Sequence, residues 1–457
     1  MFKSRLKKYM EDNFTEVLQT TFNPNGPGSI RIHLIPAKNK RDVNSNLIIV
    51  NGKDILPLSP TWTVMLAEFI KEVNTYDGRT ISDEDLNKIY DKAYTNSKRI
   101  LPLLNKKDFE NDIRRIVDTF KSIALNKVPS EDIEWISIGE YADYMKAPHR
   151  MDIMVSAMTL DGKWHCNQKC VHCYAAGQKY SEEKELSTEK WKEILDKCRE
   201  IGVPQITFTG GEPTLRDDLP ELIKYARWFV TRLNTNGIKL TKEYCEELRN
   251  AELDGLQITF YSYDEEIHNK LVGANRYQDT VNGIKNAIEA GLNPSINTPL
   301  CTLNKDYLST LKFLHGLGIT YVTCSGLIMT GNAKKDESTN LRLTPNELRD
   351  ILKNACTYAY ANDMEINFTS PGWLQDNLFE ELSIAKPNCG ACLSNMAITP
   401  SGNVVPCQSW LSDNCLGNML VDDWKDIWEH PFCKRRRDYS SLMLGNCPLL
   451  FKWQEGE

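Results

Sequence analysis

The chain has 457 residues, of which 41% are hydrophobic, and its formal net charge at pH 7 is −7. This length exceeds that of a typical single domain and predicts two or three. The acidic balance argues against a nucleic-acid partner, and the lack of any apolar run of about 18 or more residues argues against a membrane span. The N-terminal residues are basic but lack an apolar stretch, so they do not resemble a secretory signal, and we expect a cytoplasmic protein.

Residues 1–145 are predicted to form an α+β module. Short β-like runs at 29–36 and 46–50 are followed by a turn at Asn51 and Gly52. Helical patterns follow this turn near 61–73, 83–94 and 107–124. We therefore expect two or three small strands packed against about three helices.

Residues 150–370 alternate between strand and helix patterns. The predicted strands lie at 151–158, 205–209, 231–235, 255–261, 294–301 and 321–328. The helical patterns lie at 188–201, 218–229, 241–251, 280–290 and 306–317, and a last one begins at Thr344. Strands that are each followed by a helix indicate a parallel sheet with right-handed crossovers. Such a sheet closes into a full or partial barrel or stays open, and reactive groups belong in the loops after the carboxyl ends of its strands.

Cysteine is the most informative residue type, with 14 copies. In a large chain without an export signal, grouped cysteines bind metal or do redox chemistry more often than they form disulfides. One group is a close set in residues 165–174, and a looser set lies in residues 385–457, which we expect to be a small domain held together by metal. The isolated cysteines are predicted to be buried as small hydrophobic side chains. They are Cys198, Cys245, Cys301, Cys324 and Cys356.

The close set, Cys166, Cys170 and Cys173, has the spacing C-x3-C-x2-C. Four cysteines would saturate a four-iron cubane, whereas three thiolates on one loop can hold three irons and leave the fourth open. An open metal position is typical of catalytic sites. Because C-x2-C beside a histidine also suits zinc, the cysteines alone leave iron–sulfur and zinc as alternatives.

A second motif, residues 210–213, follows the apolar strand at 205–209 and reads Gly-Gly-Glu-Pro. Two glycines allow a ligand to approach the backbone closely, and a glutamate beside them can pair with a cationic amine. On its own this sequence is more often a plain turn. Its position one strand–helix unit after the cysteines favours a shared ligand site.

These two motifs together resemble the radical S-adenosylmethionine (radical SAM) superfamily. The resemblance covers about 150–370 and implies a partial (β/α)6 barrel, within an α/β chain. It implies that Cys166, Cys170 and Cys173 hold a [4Fe–4S] cluster, whose fourth iron binds the amine and carboxylate of S-adenosylmethionine. The residues that the resemblance places around this cosubstrate are Tyr174 near the adenine, Gly210, Gly211 and Glu212 at the amine with Pro213 beside them, and Asn236 and Thr259 near the ribose.

The reaction implied by the resemblance is reductive cleavage of S-adenosylmethionine to a 5′-deoxyadenosyl radical, which abstracts hydrogen from a substrate. The cofactor supplies the difficult chemistry, while the protein supplies position and excludes water. The electron would come from a reductant such as flavodoxin or ferredoxin. The alternative to an enzyme is an iron–sulfur or zinc protein for electron transfer or scaffolding, which has no need of an amine pocket.

The C-terminal cysteines resemble the SPASM/Twitch auxiliary-cluster domains found behind radical SAM cores. Cys389, Cys392 and Cys407 fit that order, but the end of the chain lacks the dense run of cysteines that a SPASM domain carries. We therefore expect one auxiliary iron–sulfur cluster, nearer the Twitch type, with structural zinc as the alternative. Its fourth ligand is left open among Cys415, Cys433, Cys447 and a substrate atom.

Residues 30–127 resemble, more loosely, the winged-helix-like peptide-recognition elements of peptide-modifying enzymes. Such modules bind the leader of a precursor peptide by adding a strand to a sheet edge. The resemblance implies a ribosomal peptide substrate and either a thioether or carbon–carbon cross-link or an epimerisation. The alternatives are a module with no ligand and an enzyme that acts on a small molecule or cofactor precursor.

Overall fold

The computed structural model describes residues 2–22, 29–36, 46–76, 81–125, 127–142, 145–335 and 340–450. The chain divides into two compact units. The first unit is Met1–His149 with Cys198–Pro204, and the second is Arg150–Lys197 with Gln205–Glu457.

The described part of the first unit contains a four-stranded antiparallel sheet in the order β1-β2-β3-β4. Its strands are β1 Leu18–Phe22, β2 Ile30–Ile35, β3 Leu47–Val50 and β4 Asp54–Pro57. Its helices are α1 Phe2–Asp12, α2 Pro60–Asn74, α3 Asp83–Ile100, α4 Lys106–Ala124 and α5 Ile138–Tyr141. One hydrophobic core unites β2, β3 and the first four helices.

The turn predicted at Asn51 and Gly52 joins β3 to β4. They are the central residues of a turn in which the Lys53 N–H donates to the Val50 carbonyl at 3.1 Å. Both have positive φ, 51° and 64°, which asparagine and glycine tolerate. Helix α2 begins where Ser59 caps the backbone N–H of Trp62 and Pro60 occupies the first turn. Local chemistry therefore sets the boundary between the sheet and the helices.

In the second unit, the described residues form a ten-stranded sheet in the order β13-β12-β11-β10-β9-β8-β5-β14-β15-β16. The strands are β5 Arg150–Ser156, β8 Gln205–Gly210, β9 Val230–Thr235, β10 Gly255–Thr259, β11 Ser295–Pro299, β12 Tyr321–Ser325, β13 Glu365–Phe368, β14 Asn395–Ile398, β15 Asn403–Val405 and β16 Gly417–Asn418. A small hairpin is formed by β6 Thr159–Leu160 and β7 Lys163–Trp164.

Helices connect most of these strands. They are α6 Thr188–Glu200, α7 Leu219–Tyr225, α8 Lys242–Asn250, α9 Glu265–Val272, α10 Tyr277–Glu289, α11 Tyr307–Gly316, α12 Pro345–Ala361, α13 Asp376–Glu381, α14 Trp424–Trp428 and α15 Pro431–Ser441. Helix α12 begins with the full capping box between Thr344 and Glu347. In this sheet β5 and β8 through β13 are parallel, so their carboxyl ends share one edge, where the cysteine loop and the Gly-Gly-Glu-Pro loop both emerge.

The predicted alternation of strands and helices is confirmed, and so is the burial of the isolated cysteines, each of which is at most 2% exposed. The sequence did not predict β13, because its four residues are too few for a clear period. It also did not predict that β14, in the cysteine-rich region, pairs in parallel with β5. That pairing joins the C-terminal region to the main sheet, a long-range contact on which local periodicity carries no information. No helix among the described residues is long and apolar enough to cross a membrane.

Candidate functional site

The first cysteine set lies on the long loop that follows the β6–β7 hairpin. The Cys166 thiol lies 3.5 Å from the Gly211 carbonyl oxygen, on the neighbouring Gly-Gly-Glu-Pro loop. The Cys170 thiol lies 3.6 Å from Oε1 of Gln168, and the Cys173 backbone N–H donates to the Cys170 carbonyl at 3.2 Å. The loop therefore folds back on itself and holds its thiols beside the second motif.

Two glycines allow other loops to pack against the cysteine loop. Gly273, which ends α9 at φ 63°, lies so close to the Lys169 carbonyl that a Cβ would collide with it. Gly331 likewise approaches the carbonyls of Cys173 and Tyr174 at φ 56°. Backbone contact on both sides fixes the path of the cysteine loop, as a site with precise geometry requires.

Burial raises the pKa of all three thiols, that of Cys166 to about 12. The neighbouring thiolate charges raise the pKa of Cys170 further. Three thiolates in this place therefore need a cationic partner, which an iron–sulfur cluster supplies. Among the described residues, no three histidine, cysteine or carboxylate side chains converge around a single metal ion. A cubane demands less convergence, because each thiolate binds its own iron.

The Gly-Gly-Glu-Pro loop follows β8 and packs directly on β5. Gly210 has φ 144°, and a Cβ there would collide with the Ser156 carbonyl oxygen. A Cβ on Gly211 would lie 2.6 Å from the Ala157 carbonyl oxygen. The Gly211 N–H donates to the Ser156 carbonyl at 2.8 Å, next to an irregularity in the β5–β8 register. Only glycine fits both positions without moving the backbone.

The Glu212 carboxylate is 1% exposed and fully oriented by donors. Oε1 accepts from the Thr214 N–H at 3.1 Å, the Thr214 hydroxyl at 2.6 Å and the Thr235 hydroxyl at 2.7 Å. Oε2 accepts from the Asn236 N–H at 2.8 Å, and this is its only hydrogen bond to a described residue. Burial raises the pKa of Glu212 and these donors oppose the rise. A carboxylate oxygen has two acceptor sites, so Oε2 keeps capacity for a further donor such as an amine.

The two loops open on one cavity of about 540 Å³. The predicted site residues that line it are Cys166, Cys170, Cys173, Tyr174, Gly210, Gly211, Glu212, Asn236 and Thr259. Pro213 is not in the lining and begins a short 3-10 turn. The structure therefore brings the cysteines and the predicted cosubstrate residues to one hollow.

Other lining residues were missed by the sequence analysis. They come from alternate positions on successive strands and from the C-terminal region: Arg150, Arg232, Asn234, Gln257, Tyr321 and Gln408. Alternation within a strand assigns such side chains to one face of the sheet. That signal was present in the sequence, but it does not say which face encloses a cavity.

The C-terminal cysteines gather into a second thiol cluster. The Cys389 and Cys447 thiols are neighbours, and the Cys447 thiol lowers the pKa of Cys389 to about 6. Cys433 is paired with Cys392 in the same way, and the pKa of Cys433 is lowered. The charge of Cys389 acts in turn on Cys407, whose pKa burial raises to about 12.

Cys415 stands apart from this cluster. Its thiol lies 3.5 Å from the carbonyl oxygen of Gly417, on β16. Of the cysteines left open as fourth ligand, Cys433 and Cys447 therefore contact the other cysteines of this region, whereas Cys415 contacts Gly417.

Gln178 ties the two cysteine-bearing regions together. Its amide is 5% exposed, and Nε2 donates to the carbonyls of Tyr174 at 2.6 Å and Ser409 at 3.2 Å. Its Oε1 accepts from the Leu411 N–H at 3.1 Å. The loop after Cys407 is thereby held against the segment that follows Cys173, and Gln408 and Ser409 complete the wall of the cavity.

Comparison with known families agrees with this geometry. The radical SAM superfamily model matches residues 165–314, and the SPASM model, an iron–sulfur cluster-binding domain, matches residues 389–448. The AdoMet-dependent heme synthase of Oleidesulfovibrio alaskensis is 28% identical over 58% of this chain and 71% of its own length. The Fe-coproporphyrin III synthase of Methanosarcina barkeri is 40% identical over 28% of this chain and 30% of its own.

Two solved structures share the fold. SuiB of Streptococcus suis, bound to precursor peptide SuiA, gives a TM-score of 0.59 at 16% identity and covers 89% of this chain and 93% of its own. Native anSMEcpe with bound AdoMet gives 0.52 at 16% identity over 66% of this chain and 89% of its own. The C-terminal residues match the SPASM model, whereas the sequence analysis expected a domain nearer the Twitch type. The chain therefore combines a radical SAM domain with a C-terminal SPASM domain. It is a radical SAM enzyme whose cofactors are a [4Fe–4S] cluster, S-adenosylmethionine and auxiliary iron–sulfur clusters.

Proposed function

We propose that this enzyme modifies a ribosomally made precursor peptide, forming a cross-link or an epimer. The observation that carries the proposal is the first unit, whose small sheet precedes the radical SAM domain. No strand of the described residues pairs with the outer side of β1, whose Gln19 carbonyl accepts from the Asn74 side chain at 2.8 Å, whereas β4 accepts a backbone hydrogen bond from the Ile136 N–H at Ile55. An unpaired edge binds an extended peptide by strand addition. The leader of the precursor would lie along β1.

The likeness to SuiB supports this proposal. Its coverage of 89% of the chain includes most of the first unit, because that unit makes up about a third of the residues. SuiB itself was solved with its precursor peptide. At 16% identity the likeness speaks for the fold, so the peptide substrate rests on the open edge of β1.

The residues of the cavity take the following roles in the proposal. Cys166, Cys170 and Cys173 hold the cluster, and Oε2 of Glu212 accepts the cosubstrate amine. When bound, the cluster and cosubstrate supply a 5′-deoxyadenosyl radical that takes hydrogen from the substrate. The cavity walls and the bound substrate would exclude bulk water, and a flavodoxin or ferredoxin would deliver the electron.

The remaining cosubstrate contacts follow from position in the cavity. Tyr174 lies beside the last cysteine of the set, where it faces the adenine. Asn236, whose side chain donates to Asn167 Oδ1 at 2.6 Å, and Thr259 at the end of β10 face the ribose. Pro213 begins the 3-10 turn that directly follows Glu212.

The auxiliary cluster is held by the second thiol cluster. Cys389, Cys392 and Cys407 are three of its ligands, and we place the fourth at Cys433 or Cys447 because these thiols contact the set. Cys415 is left outside the ligand sphere. Arg437 donates to the Cys433 sulfur at 3.6 Å, which stabilises a thiolate there.

A small-molecule substrate is the second candidate. It is favoured by the curated relatives, whose names are heme and Fe-coproporphyrin III synthases. The two candidates differ in what the first unit does, since a tetrapyrrole has no use for an open sheet edge.

The test incubates the reconstituted, reduced enzyme and S-adenosylmethionine with peptides encoded beside its gene, and in parallel with Fe-coproporphyrin III. The reactions are run in D2O, and we expect a mass change in a peptide only: loss of hydrogen for a cross-link, or uptake of deuterium for an epimer. The matched control is Cys245→Ala, a buried cysteine outside both clusters, which should retain the modification, while Cys166→Ala should lose it. A mass change in the tetrapyrrole with every peptide unaltered would overturn the proposal.

A further inference from the structure

The floor of the cavity carries a cation without a counter-ion. Asp152, Thr207, Arg232 and Gly255 occupy one register row across the neighbouring strands β5, β8, β9 and β10. Thr207 and Arg232 line the same cavity as the three cysteines. The row lies deeper along the strands than the two loops at their carboxyl ends, and we call it the floor of the cavity.

The acidic member of this row is already neutralised. Asp152 is 1% exposed, and Arg150 Nε lies 2.8 Å from its Oδ1, with Arg150 Nη2 donating to Oδ2 at 3.2 Å. The Arg232 side chain, in contrast, makes no hydrogen bond or salt bridge with any described residue. Burial and then the charge of Arg150 lower the pKa of Arg232. The floor thus holds one surplus positive charge.

The surroundings of Arg232 are polar and spacious. A Cβ on Gly255 would lie 3.4 Å from its Cγ and 3.5 Å from its Nε, so the absence of a side chain there leaves room for the guanidinium. The neighbouring Thr207 hydroxyl also lacks a hydrogen-bond partner among the described residues. Arg232 is partly buried, and a guanidinium that is removed from water without a partner is costly, so such groups in native proteins are normally paired with an anion.

The depth of Arg232 shows which anion it suits. It precedes Thr235, whose hydroxyl holds Glu212, by three residues on β9, so at about 3.3 Å per residue its Cα lies ~10 Å along the strand from that of Thr235. The backbone of Arg232 therefore belongs to a deeper level of the cavity than the amine pocket at Glu212. A carboxylate of a substrate bound below the cosubstrate would meet Arg232 at this level.

We propose that Arg232 binds a carboxylate of the substrate and orients it below the cosubstrate. This inference rests on the proposed function in one respect, that the substrate enters this cavity. The carboxylate has two possible sources, an acidic side chain of a peptide or a propionate of a small molecule. The planar guanidinium offers either one a bidentate hydrogen bond.

The test measures binding of three probes to the holoenzyme at saturating S-adenosylmethionine. The probes are N-acetyl-L-glutamate α-amide, its neutral isostere N-acetyl-L-glutamine amide, and propionate. Charge-assisted hydrogen bonds predict that wild-type enzyme binds the glutamate probe about 10- to 100-fold more tightly than the glutamine probe. Arg232→Met should lose this preference, Arg232→Lys should keep part of it, and the control Arg276→Met, at an exposed ion pair with Asp279, should keep all of it.

Thermal unfolding separates binding from structure. Because Arg232 has no partner in the fold, Arg232→Met should not lower the melting temperature of the probe-free holoenzyme. Tighter binding of the glutamate probe than of propionate identifies a peptide source, and the reverse identifies a small molecule. Equal binding of charged and neutral probes by the wild type, or an intact preference in Arg232→Met, would overturn the inference. Failure to modify any peptide would count against the proposed function alone, since probe binding is measured without turnover.

Discussion

Substitution of Glu212 by glutamine tests the amine pocket with a change of one atom. The carboxylate accepts four hydrogen bonds, and its Oε2 has capacity for a fifth. In the glutamine variant the amide oxygen can keep the donors at Oε1, but its NH₂ group then faces the Asn236 N–H, which donates at 2.8 Å in the wild type. The variant loses a charge-assisted bond to the cosubstrate amine and leaves a backbone donor without an acceptor.

The expected effect follows from these two losses. Hydrogen bonds to charged groups contribute about 1.5–3 kcal/mol and neutral ones about 0.5–1.5 kcal/mol, so the difference is about 1–2 kcal/mol. That corresponds to a Kd for S-adenosylmethionine that rises about 5- to 30-fold. The Kd is measured by anaerobic equilibrium dialysis with reconstituted enzyme. Glu347→Gln, in the exposed capping box of α12, is the matched control and should leave it unchanged. A Kd for Glu212→Gln within twofold of the wild-type value would refute the assignment of the amine to this carboxylate.

Three further predictions follow from the same geometry. Gly210→Ala drives a Cβ into the Ser156 carbonyl at a φ of 144°, so S-adenosylmethionine binding should be abolished and the melting temperature lowered; unaltered binding would contradict the steric argument. Burial lowers the pKa of His268 to about 4, against 6.5 in the unfolded chain. The neutral imidazole therefore contributes fully to the free energy of unfolding above pH 6.5, and about 3 kcal/mol of this contribution is lost as the pH falls towards 4. Unfolding of wild type and His268→Phe at pH 7, 6 and 5 measures this contribution, and parallel pH dependences of the two proteins would show it to be absent. Either Cys433→Ala or Cys447→Ala should lower the bound iron and sulfide per chain and Cys415→Ala should not; a loss in Cys415→Ala alone would return Cys415 to the ligand set.

The sequence predicted the features that depend on local pattern. The strand–helix alternation, the turn at Asn51 and Gly52 and the capping box at Thr344 each rest on residues close together in the chain. The cysteine and Gly-Gly-Glu-Pro motifs could be paired because each follows a strand of the same parallel sheet, which brings the ends of neighbouring strands together.

The remaining features depend on contacts between distant residues. The pairing of β14 with β5 joins segments more than 200 residues apart, and no periodicity encodes it. The contact of Cys433 with Cys392 and of Cys447 with Cys389 arises from the fold of the C-terminal region, so spacing alone could not rank them above Cys415. In the sequence, nothing distinguishes Arg232 from other strand residues. Only the register between neighbouring strands shows that it lies on the cavity floor.

The central claim is that Cys166, Cys170 and Cys173 hold a cluster with one open iron, at which S-adenosylmethionine is cleaved. Formation of 5′-deoxyadenosine by anaerobically reconstituted, dithionite-reduced enzyme measures this most directly. We predict that wild type and Cys245→Ala form it and that the variant with alanine at all three positions forms none while it retains its auxiliary iron. Continued formation of 5′-deoxyadenosine by the triple variant would contradict the account.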